Sequence, residues 1–362
     1  MRTTTYLLTA ILAAFTLCLR ISAQPSTMPD YTQRYAARLT PPPVYRCQYT
    51  AVPPVIDGLA NDSVWLAAEP LQPLQDIQGA SMPAPTLPTE IRMLWDERNL
   101  YVTATLTEPF VRAKLDEHDA IVWHDNDFEV FLDPDGDGEN YFEIEVNALG
   151  TVFELMLSHP YRSGGKFFSA WDCPGLQSAV SVRGTLNDSS DRDTSWIVEL
   201  AIPHKALSVS FDDALKQSRL WRVNFSRVEW LKDGGPEGNW VWAPTGMVDI
   251  HMPERWGYVY LEGGPAPTDA QTIVEKPYKD EVYNLLWTLF YAQQDAWNAN
   301  HRYIDRLSGF KLKAKELGVL PEDWWLTVST TRYSFVFSVG PDGEPVYQLN
   351  DRGHFSVMKK TE

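Results

Sequence analysis

Trp123, Glu129, Glu145 and Asn147 fall within one short acidic stretch, together with Asp133, Asp135 and Asp137. An indole offers a flat apolar surface, whereas carboxylates and an amide offer hydrogen-bond acceptors and donors. Together they make this stretch the candidate ligand site, an apolar ring beside the hydrogen-bonding groups of Glu129, Glu145 and Asn147. The run Asp133-Pro-Asp-Gly-Asp-Gly places carboxylates at alternate positions, as hard oxygen ligands for calcium are spaced. It lacks a twelve-residue loop with a terminal glutamate, and Asp and Gly are also what a tight turn requires, so a solvated turn is the first reading and calcium the second. Glu129 with Glu143 or Glu145 raises glycoside hydrolysis, which needs two carboxyl groups across a bond. Against it, Glu143, Glu145 and Asn147 alternate along one strand, the pattern of any solvated sheet face.

The elements that hold these residues are two strands and a turn. Phe128, Val130 and Leu132 alternate with Asp127, Glu129 and Phe131, and Phe142, Ile144 and Val146 alternate with Glu143, Glu145 and Asn147, so a hairpin is expected across 127–147. Similar short runs recur at 92–95, 100–106, 151–157, 179–183, 196–202, 221–228 and 256–261, broken by Gly, Pro, Asn and Asp. Regular spacing of this kind predicts an all-β fold, an antiparallel β-sandwich of immunoglobulin or jelly-roll shape. Its tryptophans Trp65, Trp95, Trp196, Trp221 and Trp256 are expected in the core. Arg92 and Arg227 are strand residues expected to form surface ion pairs with the acidic face.

Gly263-Gly-Pro-Ala-Pro267 interrupts the strand pattern. Beyond it, Val282, Leu285, Leu286, Leu289, Phe290 and Gln293 form one stripe of an amphipathic helix over 281–300. A short helical piece around Leu317-Gly-Val and strands at 332–338 and 345–349 complete a small C-terminal α+β appendage. The divisions are therefore 1–23, a secretory signal; 24–44, a Pro-containing extended linker; 45–262, the sandwich; and 263–362, linker, helix and appendage.

Residues 1–23 show the order of charged, apolar and small-residue regions expected of a signal, and their apolar core is too short to span a membrane. Export to the periplasm, the cell surface or the medium follows. Without this segment the chain carries 29 basic and 48 acidic side chains, which argues against nucleic acid and anionic membranes as partners. Cys47 and Cys173 then remain, and the sequence leaves two readings open: a disulfide of an exported protein, or two buried thiols.

Pro54-Val-Ile-Asp-Gly58 with Trp65, Leu94-Trp-Asp96 before Leu100-Tyr-Val102, Asp127-Phe-Glu-Val-Phe-Leu-Asp133, Trp196-Ile-Val-Glu-Leu-Ala-Ile-Pro203 and Trp256-Gly-Tyr-Val259 occur in the order of the landmarks of family 9 carbohydrate-binding modules. From Tyr45 to Leu261 the chain resembles that family, whose β-sandwich is related in shape to DOMON domains. The resemblance implies non-catalytic sugar binding between two tryptophans. It places Trp123 on the first tryptophan and Glu129 on the hydroxyl-binding carboxylate, puts Glu145 where the family has an arginine, and puts Ile250 or His251 where the second tryptophan belongs. Trp242 and His251 are then the nominees for the far wall.

The expectation is a saccharide-binding protein that acts beside separate glycoside hydrolases in polysaccharide catabolism. Three alternatives accompany it: an interaction module with the sugar site lost, a hydrolase-associated domain, or a haem-binding DOMON-type domain using Met156, His159, His251 and Met252, which lacks a Cys-x-x-Cys-His attachment site.

Overall fold

A computed structural model describes residues 34–208, 213–231, 235–266, 274–276, 278–312, 318–343 and 345–358. The signal segment 1–23, the first part of the linker, and most of the short helical piece before Leu317-Gly-Val lie outside these residues. Thirteen strands make the main sheet: β1 (Val44–Tyr49), β2 (Gln75–Asp76), β3 (Thr89–Trp95), β4 (Asn99–Thr107), β5 (Asp127–Asp133), β6 (Tyr141–Asn147), β7 (Val152–Leu157), β8 (Phe167–Phe168), β9 (Gln177–Arg183), β10 (Ser195–Pro203), β11 (Leu220–Trp230), β12 (Glu237–Val241) and β13 (Gly257–Glu262). Their order is β8-β7-β6-β5-β11-β13-β1-β3-β4-β10-β9, with β12 on β11 and β2 on β12.

The sheet curls on itself into the expected β-sandwich. Period-two alternation sends Phe128, Val130, Leu132, Phe142, Ile144 and Val146 from one half, and Val102, Ala104, Leu106, Trp196, Val198 and Leu200 from the other, into one core. One departure from antiparallel pairing is β1, which runs parallel to both β13 and β3 and joins the two halves. Trp65, Trp95, Trp196, Trp221 and Trp256 are all buried, as the sequence indicates.

The first motif and the β10 motif are explained by one contact. Glu199 is fully buried; its Oε2 accepts the Gly58 amide at 2.8 Å and the Asp57 amide at 3.3 Å, and its Oε1 accepts the Trp65 indole N–H at 2.9 Å. Gly58 sits at φ +80°, where a Cβ would meet the Val180 carbonyl carbon at 2.9 Å. Only glycine fits that turn.

The helix Asp280–Asn300 confirms the 281–300 stripe. Its buried face packs against a separate four-stranded sheet, β14 (Trp324–Thr330), β15 (Phe335–Pro341), β16 (Val346–Asn350) and β17 (Phe355–Met358). The sequence gives no clear sign of the outer strands β14 and β17. Residues 34–44 also depart from a free extended linker: Ala36–Leu39 forms a 3-10 turn, and Tyr35 is buried in the same cluster as the helix. No helix among the described residues is long and apolar enough to cross a membrane.

Both cysteines are buried, free thiols, so the disulfide reading is corrected. Burial pushes the Cys47 thiol well up and the Cys173 thiol to about 12, as an apolar pocket disfavours a thiolate.

Candidate functional site

The hairpin forms with Asp127 opposite Asn147, Glu129 opposite Glu145 and Phe131 opposite Glu143. Every residue of β5 and β6 is buried. The solvated face expected from Glu143, Glu145 and Asn147 is therefore covered, because a second apolar cluster of Val122, Phe131, Tyr141, Phe153, Leu155, Leu157 and Trp256 lies over that side.

Above the hairpin opens a cleft of about 190 Å³ that brings together four of the expected ligand residues, Trp123, Glu129, Glu145 and His251. Trp123 is half-buried and is held edge-on by Phe153, with ring centroids 5.7 Å apart. Its carbonyl accepts the Trp230 indole N–H at 3.0 Å, which fixes the loop before β5. Ile250 and His251, the positions where the family resemblance expects a second tryptophan, also line the cleft. His251 packs edge-on against Phe131 and Tyr161. Burial first, and the nearby Arg162 second, lower its pKa to about 4, so the imidazole is neutral at neutral pH.

Asn147 and Trp242 do not belong to the site. Asn147 Nδ2 donates to the Leu115 carbonyl and to Asp125, while Oδ1 accepts the Leu149 and Thr151 amides; its capacity is spent on fixing two loops. Trp242 is buried in the main core with its indole N–H on Gln72 at 2.9 Å. Arg227, expected at the surface, is also buried, between Glu108 and Glu229 at 3.1 and 2.7 Å.

Sequence reasoning missed Ser226, Glu237, Asn239 and Asp249 as lining residues. Ser226 lies on β11 opposite Glu129, and Glu237 and Asn239 stand two apart on β12. The alternation of Glu237 and Asn239 with Gly238 and Trp240 was the available signal. Which sheet face they join is set by the register with β11, the strand just before, and by β2, which pairs from far away in sequence.

The electrostatics of the cleft are one-sided. Among the described residues, no lysine or arginine lines it. Burial, then repulsion from Glu143, raises Glu129 to about 8; burial raises Glu143 to about 7; and burial, then Glu143 and Glu129, pushes Glu145 well above the carboxylate range. Such a cleft presents carboxyl groups that hold protons near neutral pH and can both donate to and accept from hydroxyls.

The hairpin turn is a second acidic group. Asp133, Asp135 and Asp137 bring carboxylate oxygens within 4.8 Å of one another. Asp133 is fully buried, and its two oxygens accept the Gly136 and Gly138 amides at 3.0 and 2.9 Å. These bonds shape the turn and leave lone pairs pointing toward Asp135 and Asp137, a donor set of the kind calcium takes.

A curled β-sandwich that carries a half-buried tryptophan and carboxylates in one cleft has the form of a ligand-binding module. The sequence profile described as "Carbohydrate family 9 binding domain-like" matches residues 56–264, and the chain belongs to that family. Over 90 residues, a quarter of this chain, it is 31% identical to endo-1,4-beta-xylanase A of Thermotoga neapolitana, and the match takes in 8% of that enzyme's length. Among solved structures, a family 9 module of Caldicellulosiruptor kristjanssonii in complex with cellotriose aligns at 17% identity and TM-score 0.43, covering 63% of this chain and 97% of that one. Its complex with glucose aligns at 17% identity and TM-score 0.42, covering 62% and 99%.

Proposed function

We propose that this chain binds a neutral saccharide in the cleft, with the sugar stacked on Trp123 and its hydroxyls read by Glu129, Glu145 and Asn239. The observation that carries this reading is that Trp123, the carboxylates Glu129 and Glu145, and Ile250 and His251 line one cleft. An apolar ring supplies contact area, and buried acceptors supply orientation. With one tryptophan in place of two, the far wall contributes less stacking area, so affinity is expected to be modest. The protein serves polysaccharide breakdown beside separate glycoside hydrolases, a role supported by the short match to a xylanase. Export by the signal at 1–23 and calcium held by Asp133, Asp135 and Asp137 belong to the same proposal.

The test is a tryptophan-fluorescence titration with glucose and cellotriose, followed by a panel of neutral mono- and oligosaccharides. The parent protein responds, and Trp123→Ala weakens binding at least about tenfold, or about 1.4 kcal/mol. A parent that responds to no member of the panel refutes the saccharide reading and leaves an interaction module with the sandwich kept.

A further inference from the structure

Beneath the cleft, carboxylate oxygens of Asp127, Glu129 and Glu145 lie within 4.8 Å of one another, and the three side chains are 0%, 6% and 1% exposed. Glu129 and Glu145 are a directly opposed pair on neighbouring strands, an arrangement that is unfavourable for two like charges. Buried polar atoms in proteins are normally partnered. Here both oxygens of Glu145 and Oδ2 of Asp127 have no hydrogen-bond partner. Beside the triad, Glu143 is 4% exposed and its Oε2 is unpartnered as well. The other Asp127 oxygen is held by the Val228 amide at 3.2 Å, which fixes the direction of the open one.

We infer that Asp127, Glu129 and Glu145 form a binding site for one hard divalent cation of the calcium class. Oxygen-only ligands exclude soft metals, and ligand atoms that span less than about 5 Å fit around an ion coordinated at about 2.3–2.6 Å. One ion would satisfy all three open oxygens and convert like-charge repulsion across the strands into shared attraction. Glu129 and Glu145 also line the cleft, so the ion would lie at its floor with coordination positions turned toward a ligand. The site stands independently of saccharide binding, since it is assembled from the hairpin alone.

The test uses the full chain stripped with a chelator and titrated with calcium in the absence of sugar, with bound metal counted by atomic emission and affinity read by calorimetry. The expected result is that Glu145→Gln loses one bound equivalent relative to the parent, whereas Glu90→Gln, at an exposed carboxylate of β3 outside both acidic groups, keeps every equivalent. Glu145→Gln keeps the size and shape of the buried side chain and is expected to fold; Asp127→Asn serves as a second variant with the same readout. A parent that binds no calcium, or a Glu145→Gln protein that retains every equivalent of the parent, overturns the inference and assigns the open oxygens to bound protons. Because no sugar is present, either outcome is separate from the saccharide titration.

Discussion

Replacing Arg227 with leucine isolates the energetics of the charge cluster behind the cleft. Arg227 is 1% exposed. Its guanidinium donates to Glu229 at 2.7 and 3.0 Å, to Glu108 at 3.1 Å, to Thr89 at 3.1 Å and to the Thr107 carbonyl at 3.0 Å, and it lies 5.3 Å from the Trp240 ring. Leucine fills part of the volume but leaves Glu108 and Glu229 buried and facing each other. Removing one partner of a buried ion pair costs about 3–5 kcal/mol, and Arg227→Leu is expected to lose that much at pH 8. The loss then depends on pH in a definite direction. Burial, then Glu229, already raises Glu108 to about 7, and removing the arginine raises it further. A raised carboxyl keeps in the native state a proton that the unfolded chain releases near its ordinary pKa, so stability falls as pH rises, more steeply in the variant. One extra native proton over two pH units is worth about 2.7 kcal/mol. The parent's Glu108 titrates in the same window, so the gap between the proteins should close by about 1–2 kcal/mol from pH 8 to pH 6. Urea denaturation monitored by tryptophan fluorescence at both values measures it. A loss below about 1 kcal/mol at pH 8, or one that does not shrink at pH 6, refutes the assignment of Arg227 as the compensating charge.

Glu199→Ala leaves the Trp65 indole and the Asp57 and Gly58 amides without their buried acceptor; a loss of about 3–5 kcal/mol in urea is expected, and one under about 1 kcal/mol would show that the turn is held by other contacts. His204, between Trp95 and Trp221, is lowered by burial to about 4. Because the unfolded chain takes up the proton near pH 6.5 and the native state only near pH 4, this group's contribution is present above about pH 6.5 and is lost as pH falls toward 4, by about 3 kcal/mol in all. Thermal unfolding of His204→Gln should show a correspondingly shallower loss on acidification, and parallel pH profiles for the two proteins would exclude His204 as the source.

Much of the sandwich was legible because period-two alternation survives in single strands: 127–132, 142–147 and 196–202 each carry it, and the helix over 281–300 shows its stripe. The hairpin was legible too, whereas its register, with Glu129 opposite Glu145, came from the structure. Local pattern did not disclose what covers a face. Phe131, among carboxylates, was the clue that the acidic side of β5 is roofed, and the roof comes from Val122, Phe153 and Trp256. Asn147 was nominated for its hydrogen-bonding amide, yet its partners at 115, 125, 149 and 151 consume it. Trp242 looked free because its loop carries two aromatic residues; Gly257, against which its ring packs, makes room for it in the core, where a Cβ would come within 2.2 Å.

The burial of Tyr35 against the long helix bears on the order in which the chain can finish folding. Its hydroxyl donates to Asp295, 260 residues away, and Arg34 pairs with the same carboxylate at 2.8 Å. Tyr35 must therefore wait for a helix 260 residues further along the chain, while the sandwich between them is already able to form. Closing a loop that long is costly for an unstructured chain, but a folded sandwich, with β1 and β13 side by side, has already brought the two segments together. The parallel β1–β13 pair thus acts as a clasp: docking of Tyr35 on the helix becomes local in space while its partners stay 260 residues apart in sequence.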